Sequence, residues 1–263
     1  MNQKTGDNLI VLTKDLFGLQ YDILDVALET NIFSSNNQNF TVIDFLGRKV
    51  IWINPIKEGD HYLAQRVRLA CLQPDGFDDY GVVSKFLSVL SYISQGQVVY
   101  ELFNSQGPFP GPSCVRKSLF NHFREVDILY EFINLNLNKL TDLHWSQLAF
   151  YRQGINARSP YLSFLSFWKI IESSFQYDSE KIKYFINSEI ASLDYNQAWG
   201  KLSDKDAYVR LYTSRTAAAH YAVGNGKKQR IQNPDNPYEY IPMIKDADII
   251  KRLAEKLLLS FMQ

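Results

Sequence analysis

Tyr212-Thr-Ser-Arg-Thr-Ala-Ala-Ala-His-Tyr221 is the one segment whose residue types and spacing stand out for chemistry. A guanidinium grips anions with a planar fork of donors, and an imidazole exchanges protons near neutral pH. Between Arg215 and His220 run three alanines, 217–219, which leave the backbone narrow enough for another helix or a ligand to approach. At about 100° per residue the two side chains stand roughly 140° apart on a regular helix. They converge only if the helix bends near its end, or if two copies meet across a twofold axis. Gly224, a residue suited to ending a helix, places His220 in the final turn, where the helix dipole favours the imidazolium and raises its pKa. The same residues also fit a plainer role, with the histidine packed or capping and the arginine paired to a carboxylate.

The rest of the chain offers little competition. It has no GxxxxGK[ST], GxGxxG, HExxH or GxSxG. Its four histidines, at 61, 122, 144 and 220, are too scattered to propose a metal cluster, and no cofactor is expected. Cys71 and Cys114, without a CxxC pair, point to neither a disulfide framework nor a zinc site. Asp75, Asp78 and Asp79 form an acidic cluster that a solvated helix start explains well. Gly224-Asn-Gly226 followed by Lys227, Lys228 and Arg230 resembles an anion site faintly, and a helix stop more closely.

Two kinds of element must position these residues. The first hundred positions read as strands around one helix. Asn39–Leu46 and Val50–Asn54 form a hairpin turning at Gly47, and Tyr62–Leu72 and Val98–Phe103 are further strands. Asp79–Ser94 repeats Val82, Phe86, Leu87 and Leu90 at helical spacing. Residues 104–115, with three prolines and two glycines, resist both structures and mark the junction. Beyond it helices are expected at Phe123–Leu137, Thr141–Gln153, Pro160–Phe175, Asp178–Leu193, Ser203–Val223 and Asp246–Met262. Ser159 caps the third of these and Pro160 opens it, with Tyr161, Phe164, Leu165, Trp168, Ile171 and Phe175 as its apolar stripe.

Bulk properties set limits. With 28 basic and 28 acidic side chains the formal charge is zero, which excludes long-range electrostatic steering of nucleic acid. Any such contact must come from a local patch. The first residues show no apolar leader, and no apolar run approaches the ~20 residues of a spanning helix, so a cytoplasmic location without membrane contact is expected.

Three segments together resemble the HEPN superfamily, in particular its Apea-like branch and the MauJ-type proteins. They are Phe150–Asn156, Ser159–Glu172, and Arg215-x4-His220 followed by the terminal apolar helix. The residue pattern gives an α+β chain, a mixed strand and helix domain over 1–115 and then a helical domain over 116–263; the resemblance covers residues 141–263 and implies that the second is an all-α HEPN-like bundle. It also implies a homodimeric, metal-independent endoribonuclease in which the two copies of Arg215 and His220 line a shared cleft. His220 would act as general acid or base around the ribose 2′-OH, and Arg215 would clamp the scissile phosphate. Where active members usually carry Asn, Asp or His after the arginine, this chain has Thr216, whose hydroxyl has a shorter reach.

Supporting roles are read from position: Glu172 ends the aromatic helix on its apolar side, and Arg152, Asn156 and Arg158 cluster before that helix. Glu172 is expected to pair with Arg215 or His220, or else to be a solvated last-turn acid. Arg152, Asn156 and Arg158 would hold phosphate or cap the helix after them, and Lys227, Lys228 and Arg230 would touch the RNA backbone. Such a nuclease fits a toxin or anti-phage effector restrained by a protein regulator or antitoxin. The alternative is a non-catalytic scaffold that dimerises and binds a partner or ligand.

Overall fold

The computed structural model describes the backbone of residues 22–29, 32–33, 40–53, 57–58, 61–62, 65–71, 76–95, 99–104, 124–125, 127–192, 207–220, 222–223, 230–231 and 236–260. Side chains are described over 42–48, 50, 81–95, 128–129, 131–190, 207–219 and 236–260. The chain divides into two compact units, Met1–Lys139 and Leu140–Gln263. The Pro/Gly-rich stretch read as the junction lies, beyond Asn104, outside the described residues.

The first unit carries an antiparallel sheet of five strands. In chain order these are β1 (Asp22–Glu29), β2 (Phe40–Phe45), β3 (Arg48–Ile53), β4 (Gln65–Cys71) and β5 (Val99–Asn104). They lie side by side as β2-β3-β4-β1-β5. β1 occupies an inner position, with Val26 opposite Val67 on one side and Leu102 on the other. The expected hairpin is present as β2 and β3. Its turn is two residues, Leu46 and Gly47, with φ of 51° and 73°. Two positive φ angles in succession match the right-handed twist of the flanking strands. Glycine takes this conformation freely and Leu46 takes it at some cost.

Helix α1 (Gly76–Ser94) packs its Val83, Phe86, Leu87 and Leu90 inward, and Phe86 meets Phe45 of β2 edge-on at 5.2 Å. Helix α2 (Asp127–Asn136) begins four residues later than the sequence suggests, because Arg124–Glu125 is drawn into a parallel pairing with Ile32–Phe33.

The second unit is built from helices. α3 (Asp142–Asn156) starts on Thr141, whose Oγ1 accepts the His144 N–H while His144 Nδ1 accepts the Thr141 N–H at 3.1 Å. Histidine thus fills the place that Glu or Gln takes in a capping box. α4 (Pro160–Ser174) is the core helix: Tyr161, Phe164, Phe167, Trp168, Ile170 and Ile171 are all buried. Its apolar surface is wider than the stripe read from sequence, because α3, α6 and α7 all pack against it.

α5 (Ser179–Ser192) is capped by Asp178, whose carboxylate accepts the N–H groups of Glu180 and Lys181. The Lys181 backbone N–H, above all, holds the Asp178 carboxyl below its ordinary pKa. α6 (Ala207–His220) and α7 (Pro237–Ser260) complete the bundle. Ser203, read as the cap of α6, lies outside the described residues, as does Gly224.

Two expectations for this half need correction. The last helix begins at Pro237, nine residues before Asp246, with the Asn236 side chain accepting the Tyr238 N–H. Pro237 at the first position and Pro242 farther in read as loop residues. Yet the first costs nothing, and the second forfeits only the bond to the carbonyl of exposed Tyr238. The unit is also not purely helical, since Ala222–Val223 pairs antiparallel with Arg230–Ile231. No described helix is long and apolar enough to cross a membrane.

Candidate functional site

α6 carries the arginine and the histidine, and its placement is set at three points. At its start the Asn187 side chain on α5 accepts the Tyr208 N–H at 3.1 Å. One and two turns on, a buried carboxylate on α7 takes over. Asp246 Oδ1 accepts Nε and Nη2 of Arg210 at 3.2 and 2.9 Å, and Oδ2 accepts the Ser214 hydroxyl at 2.6 Å. Asp246 is 3% exposed, so its charge has little water and depends on those three donors. The network fixes both the rotation and the height of α6 against α7. Finally Ala217 and Ala218 are buried, the close approach that their missing side chains permit, while Ala219 faces solvent.

With α6 fixed this way, Arg215 meets Glu172 of α4, Nη2 to Oε1 at 3.4 Å. The side chains retain 31% and 17% exposure. One nitrogen of the guanidinium is therefore engaged by a long contact, and among the described residues its other donors meet no partner. Trp168, one turn before Glu172, packs on Tyr208 and Tyr212 at 6.5 and 6.3 Å between ring centres. Its indole N–H is buried with no hydrogen-bond acceptor. The Thr216 hydroxyl donates to the Tyr212 carbonyl at 3.1 Å, so it can still accept a bond but not give one elsewhere.

His220 is the last residue of α6, and the helix runs unbroken to it. Its side chain is outside those described, as are the side chain of Arg230 and all of Lys227 and Lys228. Among the predicted residues, then, Glu172, Arg215 and Thr216 share one neighbourhood. Asn156 ends α3, with Arg152 one turn before it, and exposed Arg158 follows in the loop to α4. These stand at the opposite end of α4 from Glu172, about 18 Å along its axis at 1.5 Å per residue. Within one copy they do not join the Arg215 site.

Sequence reasoning missed Arg210, Ser214 and Asp246. A signal was present: Asp246 falls among Met243, Ala247 and Ile250, the apolar face of a helix, where an acid needs a partner. Taking Asp246 for a helix start made it look like an ordinary solvated first-turn acid. Among the described residues no cluster of His, Cys, Asp or Glu is placed to hold a metal ion.

The second unit is thus a helical bundle that presents a half-open arginine on a rigidly seated helix. Residues 147–259 match the family described as "Methylamine utilization protein MauJ", which supports a MauJ-type protein over the bundle. No curated protein and no solved structure matches the chain.

Proposed function

We propose that the helical unit is a HEPN-type, metal-independent endoribonuclease that works as a homodimer. The observation that carries this reading is the state of Arg215: seated by Glu172 through a single nitrogen, 31% exposed, and five residues before a histidine that ends the same helix. In this reading His220 takes the proton of a ribose 2′-OH, or delivers one to the leaving oxygen. The 2′ oxygen attacks the adjacent phosphorus and the P–O5′ bond breaks. The products are a 2′,3′-cyclic phosphate and a 5′-hydroxyl. Arg215 binds the non-bridging oxygens as their charge grows.

The outward face of α6 supports the dimer. Val209, Tyr212, Thr213, Thr216 and Ala219 lie within an arc of about 120° and carry no charge. By helical position His220 falls inside that arc toward its Thr213 edge, and Arg215 falls about 40° past the opposite edge. A twofold axis through this face brings the arginine of one copy beside the histidine of the other, which one straight helix cannot do. The test is purified protein with structured and unstructured RNAs in EDTA. Cleavage that is lost in Arg215→Ala supports the proposal. RNA left intact at high protein concentration overturns it.

A second reading, a non-catalytic scaffold, draws on the Glu172 contact and the Thr216 bond, since both engage groups that a nuclease needs free. It predicts dimers in solution that leave every RNA whole.

A further inference from the structure

At the end of the bundle away from Glu172 lies a cleft of about 340 Å3, lined by residues of α3, α4, α7 and the loop after α3. Its inner wall is a tight contact between α3 and α4. Gly154 of α3 has no side chain, and a Cβ there would stand 2.7 Å from the Phe167 ring of α4. Ile244 of α7, about half exposed, and Tyr240 give the lining its open apolar part, while Phe167 is buried behind it.

Two cations share that lining, Arg158 and Lys251. Arg158 forms no hydrogen bond or ion pair with any described residue. Among the described residues Lys251 has only a 3.7 Å contact to Glu255, whose Oε1 already accepts the Tyr151 hydroxyl at 2.7 Å. The acid of the lining, Asp248, is taken by Arg252 at 2.8 Å. A solvated arginine without a partner is ordinary by itself. Here a second cation with a weak partner lines the same cleft, and the local acid already has a cation of its own.

We infer that this cleft binds a small organic acid, its carboxylate between Arg158 and Lys251 and an aromatic or branched aliphatic body against Ile244 and Tyr240. Ligand pockets run from about 300 to 1,000 Å3, so this one suits a compact molecule. A nucleic-acid strand, by contrast, needs a continued cationic track. The inference is independent of the reading of Arg215.

The test uses the full chain with 2-naphthoate as probe and neutral 2-naphthamide as its isostere, titrated by protein-observed NMR. Saturable binding of the carboxylate is expected, at least tenfold tighter than the amide. Arg158→Ala should weaken it about tenfold and Arg158→Lys less, because a charge-assisted bond is lost or only partly replaced. Ala157→Phe, at the exposed side of the cleft, should block both probes, and Lys245→Ala outside the lining should change neither. Equal affinity for acid and amide, no binding at millimolar probe, or an Arg158→Ala variant that binds as well as the parent would each overturn the inference.

Discussion

Arg215 has two partners to satisfy, one in the protein and one in the substrate proposed for it. Its link to Glu172 is long and partly solvated, so it orients the guanidinium more than it stabilises the fold. Glu172→Gln should therefore cost no more than about 1 kcal/mol of stability in a thermal melt. It should nonetheless lower kcat for RNA cleavage more than it raises KM, since the arginine keeps its charge and loses its aim. Arg215→Lys retains a charge but not the fork, and cleavage should fall on the order of a hundredfold. A lysine variant with parental activity would show that Arg215 acts only as a point charge.

At the scale of the element, the seating of α6 rests on Asp246. Asp246→Ala leaves Arg210 and Ser214 without their acceptor, and a loss of about 2–3 kcal/mol is expected in urea unfolding. Gly154→Ala forces Phe167 to move, and about 1–3 kcal/mol should be lost by overpacking. The cap of α5 gives a pH signature. The folded-state pKa of Asp178 is depressed, so its contribution is present above the ordinary carboxylate pKa of about 4 and fades as pH falls through the lowered value. Melting curves of the parent and Asp178→Ala should differ at neutral pH and converge in acid.

These elements also show what the residues reveal on their own. The β2–β3 hairpin, α1, α3 and α4 were legible because alternation, helical spacing and caps act over a few neighbours. The start of α7 was not, because Pro237 and Pro242 break a local rule that the wider packing overrides. The pairing of Glu172 with Arg215 was within reach as an acid on an apolar helix. The Arg210–Ser214–Asp246 network was missed although Asp246 sits on an apolar helix face, because Pro237 and Pro242 hid the turns of α7 before it and made it look like a first-turn acid.

For the whole molecule the proposal requires two copies. The uncharged outer face of α6 is small, and charge placed on it should separate the copies without unfolding either. Val209→Glu combined with Tyr212→Glu should shift sedimentation from dimer to monomer, keep the helical circular dichroism, and abolish cleavage. Both side chains are about half exposed, so the monomer fold should tolerate the change.

The most direct test of the central claim is the chemistry of the cut ends. RNA and its fully 2′-O-methylated counterpart are incubated in EDTA with the parent and with His220→Ala, and the termini are read by mass spectrometry. Unmodified RNA with the parent alone should yield 2′,3′-cyclic phosphate and 5′-hydroxyl ends. Intact RNA with the parent, cuts in the methylated strand, or cleavage that persists in His220→Ala would contradict that claim.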